Sequence, residues 1–281
     1  MPAPDQSTRG AFRPREGTAG IVEAAATAFR AEYGDRPAAP VTVLMAALNE
    51  VESVASVIAD VPRSVCGLAT ECVVVDDGSS DGTAEAARSA GAMVCRLETN
   101  LGQGQALRLG YRLACERGST AIVTMDADGQ FEASELERLV GPLASGEADF
   151  VNGSRRLGRS ETTDGMRRAG IVVFATLISG LTGNRITDPA NGFRAFRPGV
   201  VTAVPLRQVQ YQTAELLIGA LALGFRVVEA PVTVRPRAAG TSKKGGNLRY
   251  GYNFGRVIVT TWWRLSPKSH LLPHSRLRSQ R

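Results

Sequence analysis

The sequence predicts an α/β protein: a mostly parallel sheet covered by helices on both faces. Three observations point there. Short apolar runs alternate with helical-period segments through residues 41–150. The runs are apolar along their length, as strands buried on both faces are. Several of them end in Asp, Asn or Glu, at the edge where parallel sheets bind ligands.

Taken in order, residues 1–40 are rich in Ala, Pro, Gly and Arg. They form an N-terminal extension expected to be partly disordered, with one short amphipathic helix over 21–33. Residues 41–48 (Val-Thr-Val-Leu-Met-Ala-Ala-Leu) are the first strand and run into Asn49 and Glu50. Val51, Val54, Val57, Ile58 and Val61 then recur at helical spacing up to Pro62. The second strand, 71–75, ends in Asp76, Asp77 and Gly78, and an alanine-rich helix follows to Ala90. A third strand spans 92–97. The turn at Asn100, Gly102 and Gly104 opens the next helix, which reaches Glu116.

The fourth strand is the centre of the pattern. Residues 121–125 (Ala-Ile-Val-Thr-Met) stop at Asp126, Ala127, Asp128, Gly129 and Gln130. If the backbone is still extended there, the two carboxylates share one face. Hard oxygen donors at the end of a buried strand suit Mg²⁺ or Mn²⁺ with a phosphate-bearing ligand. A helix over 134–143 and a short strand at 150–153 complete the repeat.

Beyond residue 160 the pattern changes. Helices are expected over 166–181 and 209–223, the second with Glu215 as its only acid. Between them, residues 188–197 mix turn formers with aromatics and arginines. Residues 225–234 read as a strand pair broken at Pro231, followed by a basic glycine-rich loop containing Arg237, Ser242 and Lys243. The last segment, 248–265, interleaves Tyr250, Tyr252, Phe254, Trp262 and Trp263 with Arg249, Arg256 and Arg264. It suits a helix lying on a membrane surface, and equally one docked on the core or on a second copy in a homodimer.

Composition excludes several chemistries. The two histidines, His270 and His274, lie in the polar tail, which removes Ser-His-Asp, Cys-His and His-ligated zinc sites. Cys66, Cys72, Cys95 and Cys115 form no C-x-x-C pair and read as buried reduced thiols. Leu107 stands where G-x-G-x-x-G needs its third glycine, so a dinucleotide fingerprint is absent. The formal charge of +6 is lopsided: from Arg235 onward there are eleven Lys or Arg and no Asp or Glu, leaving −5 before it. The basic end calls for an anionic partner such as a phosphate or an acidic membrane surface. No run approaches the ~20 apolar residues of a membrane span, and the first residues lack an apolar signal segment. The expected location is cytoplasmic, or peripheral at the inner face of the plasma membrane.

The order of motifs resembles the family 2 glycosyltransferases, and most closely the polyprenyl-phosphate hexose synthases of the dolichol-phosphate mannose synthase type. The matching stretches are 46–50 (Ala-Ala-Leu-Asn-Glu), 75–83 (Val-Asp-Asp-Gly-Ser-Ser-Asp-Gly-Thr), 100–104, 125–130, 153–155, 188–194, and Glu229-Ala230-Pro231 followed by Arg237 and Ser242-Lys243. The sequence departs at Ala46, Gln103 and Phe131, where relatives commonly carry Pro, Lys and His.

The resemblance implies a GT-A fold over residues 41–245, with 246–281 a C-terminal amphipathic helix and basic tail. It implies inverting transfer of a hexose from a nucleotide-diphosphate sugar, of GDP-mannose or UDP-glucose type, to a polyprenyl phosphate. The alternative is a small-molecule or natural-product hydroxyl acceptor. Ala47, Asn49, Glu50, Asp76, Asp77, Gln103 and Asp126 would line the nucleotide-sugar site, and Asp126, Asp128 and Gln130 would hold the Mg or Mn ion. Arg155, Arg168, Arg237, Ser242 and Lys243 would meet the acceptor phosphate. A hydroxyl acceptor would need a base, with Glu215 first and Asp188 second; a lipid phosphate is already anionic. No nucleic acid partner is expected.

Overall fold

The computed structural model describes residues 12, 14, 16–161, 165–236 and 247–266, with no side-chain description for 165–168 or 247–250. Nine helices and eight strands are described: α1 (Ala19–Tyr33), β1 (Val41–Ala47), α2 (Val54–Asp60), β2 (Ser64–Val65), β3 (Leu68–Asp76), α3 (Thr83–Ser89), β4 (Met93–Arg96), α4 (Gln103–Glu116), β5 (Ala121–Thr124), α5 (Leu136–Ala144), β6 (Phe150–Ser160), α6 (Gly165–Thr182), β7 (Arg194–Phe196), α7 (Pro198–Ala203), α8 (Gln212–Ala222), β8 (Val227–Val234) and α9 (Asn247–Leu265).

The sheet runs β4-β3-β1-β5-β7-β6-β8, with β2 folded back on β3 as a hairpin. β4, β3, β1 and β5 are parallel neighbours, as are β6 and β8. Strand residues alternate between two cores. Leu44, Val73, Val75 and Ile122 face the side covered by α1, α4, α8 and α9. Val43, Met45, Val74 and Val123 face α2, α3 and α5. Burial on both faces explains why these strands read as continuous apolar runs.

Three features of the sheet differ from the sequence-based expectation. β7 lies antiparallel between β5 and β6, a strand hidden inside the expected turn region. An antiparallel strand begins where its neighbours end, so β7 brings residues 188–193 to the carboxyl end of β5. Residues 227–234 form one strand rather than a broken pair, because Pro231 pairs with Ser154 just before a register shift in β6. β6 is eleven residues long, well beyond the short strand expected. The helix expected over 21–33 is α1, whose Val22, Ala25, Ala26, Phe29 and Tyr33 are buried in the core.

Among the described residues no helix is long and apolar enough to cross a membrane. The four cysteines are unpaired; burial pushes the Cys72, Cys95 and Cys115 thiols up to about 12, while Cys66 is exposed.

Candidate active site

The carboxyl ends of β1, β3 and β5 meet side by side. Ala47 pairs with Asp76, the Asp77 amide donates to the Ala47 carbonyl at 2.8 Å, and the Met125 amide donates to Leu44 at 3.0 Å. The three acidic clusters singled out in the sequence therefore share one edge.

The β1 and β3 loops are laced together. Asn49 adopts a left-handed conformation (φ 53°), which Asn tolerates better than most residues. Its amide N–H donates to Ser79 Oγ at 2.9 Å, and its Oδ1 accepts from the Ser80 amide at 3.0 Å. The Glu50 amide donates to Thr83 Oγ1 at 2.9 Å. Ala47 is buried, Glu50 half-buried and Asn49 exposed.

Asp76 and Asp77 organise this edge from inside. Asp77 accepts the Leu101 amide at 2.8 Å and the Gly102 amide at 2.9 Å, fixing the turn that opens α4. Burial pushes its carboxyl above the usual range, against these two N–H groups that favour the charged form. Asp76 is fully buried. Its Oδ1 accepts the Ser79 amide at 3.0 Å, whereas its Oδ2 has no hydrogen-bond donor and lies 3.5 Å from Arg96 Nε. Gln103 is exposed at the start of α4.

At the third strand end the geometry differs from the expected one. β5 stops at Thr124 and the chain turns over Ala127 and Asp128, so the alternation of an extended backbone does not set the two carboxylates. The turn does. Gly129 takes φ 74°, the Gln130 amide donates to Asp128 Oδ1 at 3.1 Å, and Ser53 Oγ donates to the Ala127 carbonyl at 2.7 Å. Asp128 is buried and Asp126 half-buried.

The segment delivered by β7 packs beneath Asp126. Thr124 Oγ1 donates to the Gly192 carbonyl at 2.7 Å, and a Cβ placed on Gly192 would sit 3.4 and 3.5 Å from the Asp126 oxygens. That is ordinary van der Waals contact, so Gly192 packs directly against the carboxylate. Among the described residues no group of three or more His, Cys, Asp or Glu converges as a metal cluster. Two carboxylates on one turn still fit Mg²⁺ or Mn²⁺, ions that keep waters and take phosphate oxygens as their remaining ligands.

β8 ends at the same place. The Arg235 amide donates to the Gln130 carbonyl at 2.9 Å, and Gln130 Nε2 returns a bond to the Arg235 carbonyl at 2.9 Å. Arg237, Ser242 and Lys243 lie outside the described residues, as does the Arg168 side chain. Arg235, the first residue of the basic segment, thus touches the turn directly at Gln130.

Both residues expected as bases are committed elsewhere. Glu215 is fully buried. Its Oε2 accepts the Arg207 and Gln208 amides, each at 2.9 Å, and its Oε1 accepts Arg264 Nη2 at 3.0 Å. Asp188 is also fully buried; its Oδ2 accepts Arg155 Nε at 2.6 Å and its Oδ1 accepts Arg155 Nη2 at 3.1 Å. Carboxylates so engaged have no exposed oxygen with which to take a proton from a bound acceptor. Arg155, expected at a phosphate, spends two of its nitrogens on this pair.

Three residues noted in the sequence without a structural role support the site. Glu229 accepts Asn152 Nδ2 and the amides of Thr187 and Asp188, at 2.9, 2.7 and 3.2 Å, which fixes the start of the 188–193 segment. Arg194 is buried, donates to the Pro189 carbonyl at 2.8 Å and to the Thr213 carbonyl, and is pulled down to about 10 by burial. The signal for Arg264 was half present: a lone acid in an apolar helix requires a buried partner, but a partner 49 residues away is invisible without the fold.

Comparison with known proteins places the chain among glycosyltransferases. The family model described as "Glycosyl transferase family 2" matches residues 42–203. The chain is 34% identical over 222 residues to a dolichyl-phosphate hexose transferase of Haloferax volcanii, covering 77% of this chain and 91% of that one. It is 29% identical over 240 residues to an undecaprenyl-phosphate mannosyltransferase of Micrococcus luteus, covering 81% and 95%. Among solved structures, glucosyl-3-phosphoglycerate synthase of Mycobacterium tuberculosis, crystallised with Mn²⁺, UDP and glucosyl-3-phosphoglycerate, superposes with TM-score 0.60 over 90% of this chain and 85% of that one at 24% identity, a likeness of fold.

Proposed function

The chain belongs to glycosyl transferase family 2 and is a glycosyltransferase of GT-A fold, and from that premise we propose that it moves a hexose from a nucleotide-diphosphate sugar to a polyprenyl phosphate at a membrane surface. The observation that carries the acceptor class is the engagement of both candidate bases, Glu215 and Asp188. A hydroxyl acceptor must lose a proton as it attacks, whereas a phosphate monoester brings an anionic oxygen and needs no base. The hydroxyl alternative would require a carboxylate that these two do not supply.

In this reading Ala47, Asn49 and Glu50 bound the nucleoside, and Asp76, fully buried and paired with Arg96, supports that edge from inside. Asp77 holds the Asn100–Gly102 turn against it, with Gln103 at the rim. Asp126 and Asp128, with Gln130 on the same turn, would hold a divalent cation, which when bound offsets the negative charge developing on the departing diphosphate. Arg155 positions the 188–193 segment through Asp188. Arg168 and the loop bearing Arg237, Ser242 and Lys243 would grip the acceptor phosphate.

The membrane assignment is supported by the outer face of α6 and α9. Tyr252, Arg256, Val259 and Trp263 recur at i, i+4, i+7 and i+11 and are all exposed; Val172 and Val173 are exposed on α6, which packs on α9 through Phe174 and Phe254. Aromatics with a basic residue on one helix face suit a lipid headgroup region.

The test is calorimetric binding of GDP, UDP and dTDP with and without Mn²⁺, followed by transfer from the matching sugar nucleotide to polyprenyl phosphate in liposomes. Metal-dependent binding of one diphosphate, lost in Asp128→Ala, together with transfer to the lipid, is expected. Transfer only to a soluble hydroxyl, or undiminished activity of Asp128→Ala in EDTA, would overturn the reading.

A further inference from the structure

Glu215 lies at the start of a continuous set of polar contacts that ends at the nucleotide edge. On one side, Arg264 in the last turn of α9 donates to Glu215 Oε1 at 3.0 Å and to the Pro205 carbonyl at 3.1 Å. On the other, Glu215 Oε2 takes the Arg207 and Gln208 amides. Residues 205–208 are thus clamped between the first turn of α8 and the last turn of α9.

The same segment seats the first turns of α4. Arg108 Nη1 donates to the Gln208 carbonyl at 2.7 Å, and the Gly104 amide donates to the Val209 carbonyl at 2.9 Å. The approach is so close that a Cβ on Gly104 would lie 2.5 Å from the Val209 oxygen and 2.6 Å from the Gln208 oxygen, and one on Gly102 would lie 2.8 Å from Val209 Cγ1. Gly102 is in turn the residue whose amide Asp77 holds. Tyr211, which closes the segment, sits at φ 61°, a conformation a bulky residue adopts only when its surroundings impose it.

We infer that Glu215 is a positioning residue for the donor site: with Arg264 it fixes the 205–209 segment, which holds the Gly102–Gly104 turn against Asp77. The inference rests on the donor-site reading above and assigns that site a determinant on α8 and α9. It also gives the helix with the exposed aromatic face a physical connection to the nucleotide edge. A full carboxylate is needed because one oxygen serves two backbone donors while the other serves a guanidinium. Glutamine keeps the first function and loses the second, since its NH₂ cannot accept from arginine.

The experiment compares wild type, Glu215→Gln, Arg264→Met and the double variant. The readouts are UDP and GDP affinity with Mn²⁺ by calorimetry, and kcat and donor KM from about pH 5 to pH 9. Both single variants are expected to weaken diphosphate binding and raise donor KM by about tenfold, the loss of one charge-assisted contact. The double variant should be no worse than either single. Saturating kcat and its acid limb should be unchanged.

If Glu215→Gln abolishes kcat while Arg264→Met does not, Glu215 is a base and the inference is wrong. It is equally wrong if both variants bind diphosphate like wild type, for then the clamp is only structural. Should Glu215→Gln fail to fold, Arg264→Met decides, because that side chain is 24% exposed and its stem packing is retained. Failure of the wild type itself to bind any diphosphate would overturn the donor-site reading and this inference with it.

Discussion

Arg155 and Asp188 form a two-point ion pair beside the site, with Asp188 fully buried and Arg155 13% exposed. The Arg155 amide also donates to Asp188 Oδ2 at 3.1 Å, so β6 and the 188–193 segment are joined at a single carboxylate. Removing one member of a buried pair strands the other. Asp188→Asn should therefore lower the unfolding free energy by about 3 kcal/mol in urea titrations. A variant of wild-type stability that had lost only kcat would restore Asp188 as a base.

Gly104 and Gly110 lie on the same helix and are both overpacked by any larger residue, but against different neighbours. A Cβ on Gly104 meets the carbonyls of 208 and 209, and one on Gly110 lies 2.3 Å from Leu44 Cδ1 in the core. Each alanine variant should lose about 1–3 kcal/mol of stability. Only Gly104→Ala should also lose diphosphate affinity. Equal losses in both would mean that the nucleotide edge reports general stability.

Asp149 is clipped to Arg226, whose Nε and Nη2 donate to it at 3.0 and 2.8 Å, and these bonds hold its carboxyl down to about 2. A depressed carboxylate stabilises the fold above its unfolded value, 3.8, and that contribution disappears as the pH falls through about 2. Denaturation midpoints of wild type and Asp149→Asn should thus differ at neutral pH and converge below pH about 2. A gap that persists at the acid end would rule out this pair as the source.

Tyr252 and Trp263 are 74% and 60% exposed on α9. Their replacement by serine should leave thermal stability unchanged while reducing co-sedimentation with vesicles containing anionic lipid. Residual binding should fall with added salt, which screens the basic residues. Undiminished sedimentation would move the membrane contact to another face.

How much was legible depended on sequence distance. Strands β1, β3, β4 and β5 and helices α2 to α5 were read because each announces itself locally, by apolar runs or helical spacing. β7 was missed because three residues between aromatics and arginines carry no periodicity; its partners in β5 and β6 define it. The Asp126–Asp128 pair was placed by an argument from extended backbone, which the turn over Ala127 and Asp128 replaces. Glu215 and Asp188 were named as candidate bases, and only the fold shows that both are buried and paired with Arg264 and Arg155.

The sequence by itself determined the sheet's acidic edge, since residues that end buried strands are read from the strands themselves, and with it the family. It could not determine which acids are open to a ligand. Gly192 reaches Asp126 because the strand that follows it runs antiparallel beside β5, and Glu215 and Asp188 are closed because arginines 49 and 33 residues away reach them. Pattern fixes which chemical groups stand at an edge; only long-range packing decides which of them the fold has already satisfied.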